Sequence, residues 1–180
     1  MVRSENKLEI KKNKIGILGG SFDPAHKGHL AISKEAKKIL KLKKVIWAIT
    51  KKNPFKKKSE VSLSDRIKHC KKIIKNNSFI KVKFYEDLIK SNKTIDLINF
   101  LYKDKKNEIF FLMGADNLIK FHKWHKWKTL SQKSTIIVFD RYGYKKKSLN
   151  STTFKRLNKK NLKFIKFKKV NISSSQLRKI

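Results

Sequence analysis

Apolar residues along this chain fall into two alternating kinds of segment. Short runs dense in Ile, Val, Leu and Phe occupy Lys14–Leu18, Lys44–Ile49, Ile80–Phe84, Glu108–Met113, Ser134–Phe139 and Leu162–Phe167. Runs of this length, rich in β-branched and aromatic residues, predict strands. Between them, helical patterns cover His29–Leu40, Leu63–Lys75, Thr94–Tyr102, Asp116–Phe121 and Thr152–Asn158. Such alternation implies βαβ crossovers, so the expected class is α/β, a doubly wound parallel sheet covered on both faces. Neither a repeat nor a linker interrupts the pattern, which points to one domain over residues 1–180, with 1–13 as a flexible extension. Two basic loops, Lys51–Ser59 and Gly143–Ser148, are expected to be mobile.

In a sheet of this kind the site lies beyond the carboxyl ends of the strands. The first strand runs into Gly19-Gly20-Ser21-Phe22-Asp23-Pro24-Ala25-His26-Lys27-Gly28-His29. The second leads to Thr50–Lys58, the fourth to Gly114-Ala115-Asp116, the fifth to Asp140-Arg141. The sixth leads to Ile172-Ser173-Ser174-Ser175-Gln176-Leu177-Arg178. All of these segments fall on one rim. The first is the most pointed. The whole chain holds only 6 Gly and 2 Pro, yet Gly16, Gly19, Gly20, Gly28 and Pro24 sit together there. A glycine-bearing turn that opens a helix beside two imidazoles gathers N–H donors around one point, which suits a polyphosphate. His26 and His29 are read as donors to phosphoryl oxygens, and Gly28 as the place where a phosphate approaches the backbone. No neighbouring carboxylate or cysteine cluster completes a metal-ligand set around them. Asp23 is a candidate metal-side carboxylate, but inside the turn it is read as holding the loop by hydrogen bonds.

Composition adds an electrostatic frame. The 48 Lys and Arg against 13 Asp and Glu give a net charge of +35. That balance favours anionic partners. The excess is mostly Lys, accompanies many Ile and Asn, and is spread over every segment, so it reads as compositional bias rather than as a nucleic-acid face. The single cysteine, Cys70, excludes an intrachain disulfide. The first residues lack the apolar core of a secretion signal, and no apolar run approaches the roughly 20 residues of a membrane span. A cytoplasmic location is the expectation.

The motif G-G-S-F-D-P-x-H-x-G-H resembles the signature of the HxGH nucleotidyltransferase superfamily. More narrowly, the chain resembles the bacterial nicotinate-nucleotide adenylyltransferases, from about Lys14 to Arg178, with several motifs matching in order. The resemblance implies a Rossmann-like nucleotidyltransferase fold. It also implies the joining of ATP and nicotinate mononucleotide to the dinucleotide plus pyrophosphate, in NAD biosynthesis, with Mg²⁺ carried by the phosphates and no metal site of the protein's own. The phosphate of the mononucleotide is already ionised at neutral pH, so alignment and charge stabilisation would suffice without a protein base.

Carried over position by position, the resemblance makes His26, His29 and Arg178 catalytic. It places ATP on Gly19, Gly20, Ser21, Phe22, His26, Gly28, His29, Gly114, Asp116, Ser173, Ser174, Ser175 and Arg178. The mononucleotide falls to Ser21, Lys56, Thr94, Trp124 and Arg141. I-S-S-S-Q-L-R resembles the family's I-S-S-T-x-I-R, whose serines cap a helix and whose arginine holds the β- and γ-phosphates. Gly114-Ala115-Asp116 matches the family's G-A-D, with Asp116 on the ribose or on the helix N-terminus. Trp124 matches the family tryptophan, open to stacking on the pyridine ring or to a core role, while Trp127 reads as core. Ser64-Asp65-Arg66 resembles the family's helix-opening serine and arginine, with Ser64 as N-cap and a structural role for both. His122 and His125 are given no role. One departure is that only two residues follow Arg178, where relatives continue through a further helical stretch.

Two other functions compete with this reading. Pantetheine-phosphate adenylyltransferase, of coenzyme A synthesis, is suggested by N-P-F-K-K-K and I-S-S-S. It is disfavoured by His26, where that family carries threonine, and by G-A-D and Trp124. A basic nucleic-acid-binding protein on the same scaffold would collect its Lys and Arg on one face with aromatics beside them. The sequence disperses them.

Overall fold

The structure, a computed structural model, describes residues 12–52 and 61–166. Six strands form one parallel sheet: β1 (Asn13–Gly20), β2 (Lys44–Ile49), β3 (Ile80–Phe84), β4 (Asn107–Gly114), β5 (Thr135–Phe139) and β6 (Leu162–Ile165). Their order across the sheet is β3-β2-β1-β4-β5-β6. This is the doubly wound order, in which the chain winds outward in both directions from β1 and leaves a crevice where the direction reverses. Here that switch lies between β1 and β4.

Side-chain alternation explains how both faces are covered. Along β1, Ile15 and Ile17 point to one face and Gly16 and Leu18 to the other. The first face joins Ile46, Phe111, Met113 and Val138 and packs against helices α4 (Thr94–Tyr102), α5 (Ala115–Lys120) and α6 (Trp127–Lys133). The second joins Val45, Trp47, Leu112 and Phe139 and packs against α1 (Lys27–Leu40) and α2 (Leu63–Ile73). The four central strands are buried on both faces and so read as continuous apolar runs, whereas the edge strands β3 and β6 bury only part of their positions.

Gly16 owes its presence to this packing. A Cβ there would stand 2.7 Å from Leu42 Cδ1 and 3.3 Å from Leu112 Cδ1. Trp47 is fully buried and donates its indole N–H to Ser33 Oγ at 2.8 Å, while Ser33 donates to the carbonyl of His29 at 2.8 Å. That relay fixes the start of α1 on the sheet.

The structure corrects several sequence expectations. Gly143–Ser148, expected as a mobile loop, contributes to helix α7 (Lys145–Leu149), whose Ser148 is fully buried. Short helices α3 (Glu86–Ile89) and α6 were not anticipated. α8 covers Thr152–Arg156. The N-cap of α2 is Ser62, which accepts from the Asp65 N–H at 3.1 Å, and not Ser64.

Cys70 is fully buried on the inner face of α2, and burial pushes its thiol up to about 12. The thiolate is the reactive form, so in the native protein at about pH 8 Cys70 is expected to resist an aromatic disulfide reagent until denaturant is added. Rapid labelling of the native protein would contradict the packing of α2.

Candidate active site

The turn that follows β1 is buried, with Ser21, Phe22, Asp23 and Ala25 all under one-tenth exposed. Its left-handed residue is Phe22 (φ 49°) rather than a glycine. Gly19 and Gly20 therefore contribute empty space at the site, not unusual dihedrals.

His26 and His29 cap α1 reciprocally. The Gly28 N–H donates to His26 Nδ1 at 3.1 Å, and the His26 N–H donates to His29 Nδ1 at 3.2 Å. Helix α1 accordingly begins at Lys27 with His26 as N-cap, two residues before the expected start. A ring nitrogen that accepts carries no proton. Both neutral imidazoles are thus held with their proton on Nε2, as donors. The rings lie 3.9 Å apart, and His29 also packs 4.8 Å from the Phe22 ring and 5.9 Å from Trp47. No acidic residue occupies the first turn of α1, so no carboxylate of the helix itself competes for its positive end. Asp23, 2% exposed, sits inside the turn.

A cavity of about 350 Å³ opens at the carboxyl ends of β1 to β4. Gly19 and Gly20 form one side of it. Its apolar wall is made by Ala48, Ile89, Leu97, Phe111 and Trp124, and Thr94 lies among them. Trp124 is half-buried, edge-on to Phe111 at 5.8 Å and tilted 5.3 Å from Phe121. Part of the ring braces the core and part lines the cavity. Trp127 packs against the core, 6.1 Å from Phe121. Tyr85, also in the cavity, has its phenol pushed above the usual range by burial, which keeps it protonated as a donor. A mostly apolar chamber with convergent polar groups is the usual form of a small-molecule site.

A family model described as cytidylyltransferase-like matches residues 17–180. A protein of Pelagibacter ubique (strain HTCC1062), named a probable nicotinate-nucleotide adenylyltransferase, is 69% identical over 180 residues, the full length of both chains. One of the same name from a Nitratiruptor species is 42% identical over 73% of this chain and 76% of its own. The chain belongs to the nicotinate-nucleotide adenylyltransferase family. Solved structures of the Plasmodium falciparum nicotinic acid mononucleotide adenylyltransferase, one complexed with NaAD and one with APC, superpose with TM-scores of 0.71 and 0.72. Each covers 93% of this chain and 83% of the other, at 21% and 22% identity, which establishes the shared fold.

In this member of the family the structure gathers His26, Gly28, His29, Ser21 and Phe22 at the turn, and Thr94 and Trp124 at the cavity. Gly19 and Gly20 lie between the two. Asp116 and Arg141, read toward different substrates, form one ion pair at 2.9 Å, each about a quarter exposed. Gly114 makes room for it, since a Cβ there would fall 2.5 Å from Asp116 Oδ1. Lys56, Ser173, Ser174, Ser175 and Arg178 lie outside the described residues.

Sequence reasoning missed part of the cavity. Tyr85, Glu86, Lys93, Lys123 and His125 all line it. The Glu86 carboxylate accepts from the Thr50 hydroxyl and, at 3.2 Å, from the Lys51 N–H. Tyr85 and Glu86 directly follow β3, the one described strand end to which no site segment had been assigned, so the carboxyl-end rule applied to β3 would have found them. His122 is engaged elsewhere, its N–H donating to Thr153 Oγ1 at 3.0 Å. Among the described residues, no three His, Cys, Asp or Glu side chains gather as a metal site, and no helix is long and apolar enough to cross a membrane.

Proposed function

We propose that the chain joins ATP to nicotinate mononucleotide, giving nicotinate adenine dinucleotide and pyrophosphate, with ATP at the histidine turn and the mononucleotide in the cavity. The observation that supports this most is the sharing of Gly19 and Gly20 by the two halves, because a phosphate held at the turn would then lie beside a ligand held in the cavity. In-line attack on the α-phosphorus needs that adjacency and little else, because the attacking phosphate is already ionised.

In this reading Nε2–H of His26 and His29, with the N-terminus of α1, donates to the phosphoryl oxygens as charge builds on them. Trp124 stacks on the pyridine ring and Thr94 lies beside it. Lys56, Arg178 and the serines Ser173, Ser174 and Ser175 are assigned to phosphates by sequence. Mg²⁺ would enter as a passenger of ATP, since phosphate oxygens are hard ligands that suit it. Bound there, it would neutralise part of the triphosphate charge. The nearby lysines raise the local concentration of both anionic substrates.

Isotope transfer tests the chemistry. With ¹⁸O in the phosphate of the mononucleotide, all label is expected in the dinucleotide and none in pyrophosphate. Label appearing in pyrophosphate would refute direct attack by that phosphate.

A further inference from the structure

Helix α2 carries a buried cation, Arg66, to which the family resemblance gives only an unspecified structural role. Arg66 is 3% exposed, and among the described residues no carboxylate pairs with it. Its guanidinium is satisfied by main-chain carbonyls. Nη1 donates to Ser21 O at 2.6 Å and to Thr50 O at 2.9 Å, Nη2 to Lys51 O at 3.2 Å, and Nε to Val61 O at 3.2 Å. One turn along the same helix face, His69 Nε2 lies 3.0 Å from Ala25 O. A carbonyl only accepts, so Nε2 donates. The histidine turn is therefore held at Ser21 and again at Ala25, both times from α2.

The other acceptors of Arg66 lead to the cavity. Thr50 lines it, and both Thr50 and Lys51 donate to Glu86, which lines it too. We infer that Arg66 is a positioning residue that sets the histidine turn in register with the cavity wall, through Ser21 on one side and Thr50–Lys51–Glu86 on the other. The inference rests on the reading that the two substrates occupy the turn and the cavity. Under that reading, Arg66 controls the placement of the α-phosphorus relative to the attacking phosphate while touching neither. A planar fork with donors in several directions suits four carbonyls, and an ammonium on a flexible stem does not reproduce it. Small misplacements at this step are costly, of the order of 10²-fold per ångström.

The test is Arg66→Lys, which keeps the charge and loses the fork. The expected result is a kcat lower by about 10- to 100-fold, with KM for each substrate within about threefold, because each half of the site stays intact and only their register suffers. Thermal melting reports the folded fraction at the assay temperature, and Lys68→Ala, on the exposed side of the same helix, is the control. A kcat at the wild-type level overturns the inference, as does a loss that disappears once corrected for folded fraction. Should Arg66→Lys fail to fold, His69→Phe removes the outer tether from an exposed position. There a kcat fall of about 3- to 10-fold at unchanged KM is expected, and an unchanged kcat overturns the inference. Dinucleotide synthesis by the wild-type enzyme is measured in parallel. Its absence would count against the proposed function, whereas a normal wild type with an unaffected variant would count against Arg66 alone.

Discussion

Replacing His29 with alanine is expected to lower turnover by roughly 10²- to 10³-fold, the usual size for removing one preorganised donor from a site of developing negative charge. The expectation rests on the tautomer. Because His29 Nδ1 accepts the His26 N–H, the imidazole proton is held on Nε2, and the ring is fixed against Phe22 and Trp47. Alanine removes the donor and half of the reciprocal cap, so stability should also fall, by about 1 kcal/mol. That loss is small beside the stability of an ordinary domain. The folded fraction measured by melting therefore separates the two effects. A folded variant with unchanged turnover would remove His29 from the chemistry.

Trp124→Ala is expected to weaken mononucleotide binding by about tenfold to a hundredfold while leaving ATP binding nearly unchanged, given stacking worth about 1–3 kcal/mol per ring. Trp124 lines the cavity, away from the capped histidines, so the effect should be confined to one substrate. The edge contacts to Phe111 and Phe121 mean that some stability is lost as well. Trp124→Phe should recover a large part of the affinity. Equal weakening for both ligands would instead mean that Trp124 serves only the core.

Much of this organisation could be read from the chain because its four central strands are buried on both faces and its edge strand β3 alternates buried and exposed positions. β2, β3 and α4 have the boundaries their apolar patterns predict. The histidine turn was legible because scarce glycines crowd around it. What escaped did so for local reasons. α3, α6 and α7 span 4, 7 and 5 residues, too short to display a helical period, and α7 is built largely of lysines. His26 as an N-cap hides behind the usual preference for Ser, Thr, Asp and Asn. The Asp116–Arg141 pair and the Arg66–Ser21 contact join residues 25 and 45 positions apart, which periodicity cannot relate. Glu86 escaped because it follows the strand whose end carried no motif.

Pyrophosphate release from MgATP, with nicotinate mononucleotide, nicotinamide mononucleotide and phosphopantetheine offered in parallel, tests the central claim most directly. Release that is fast with the nicotinate substrate and slow with the other two is the predicted result. Release driven by phosphopantetheine, or none with nicotinate mononucleotide, would contradict the assignment of the cavity and of Trp124 and Thr94 within it.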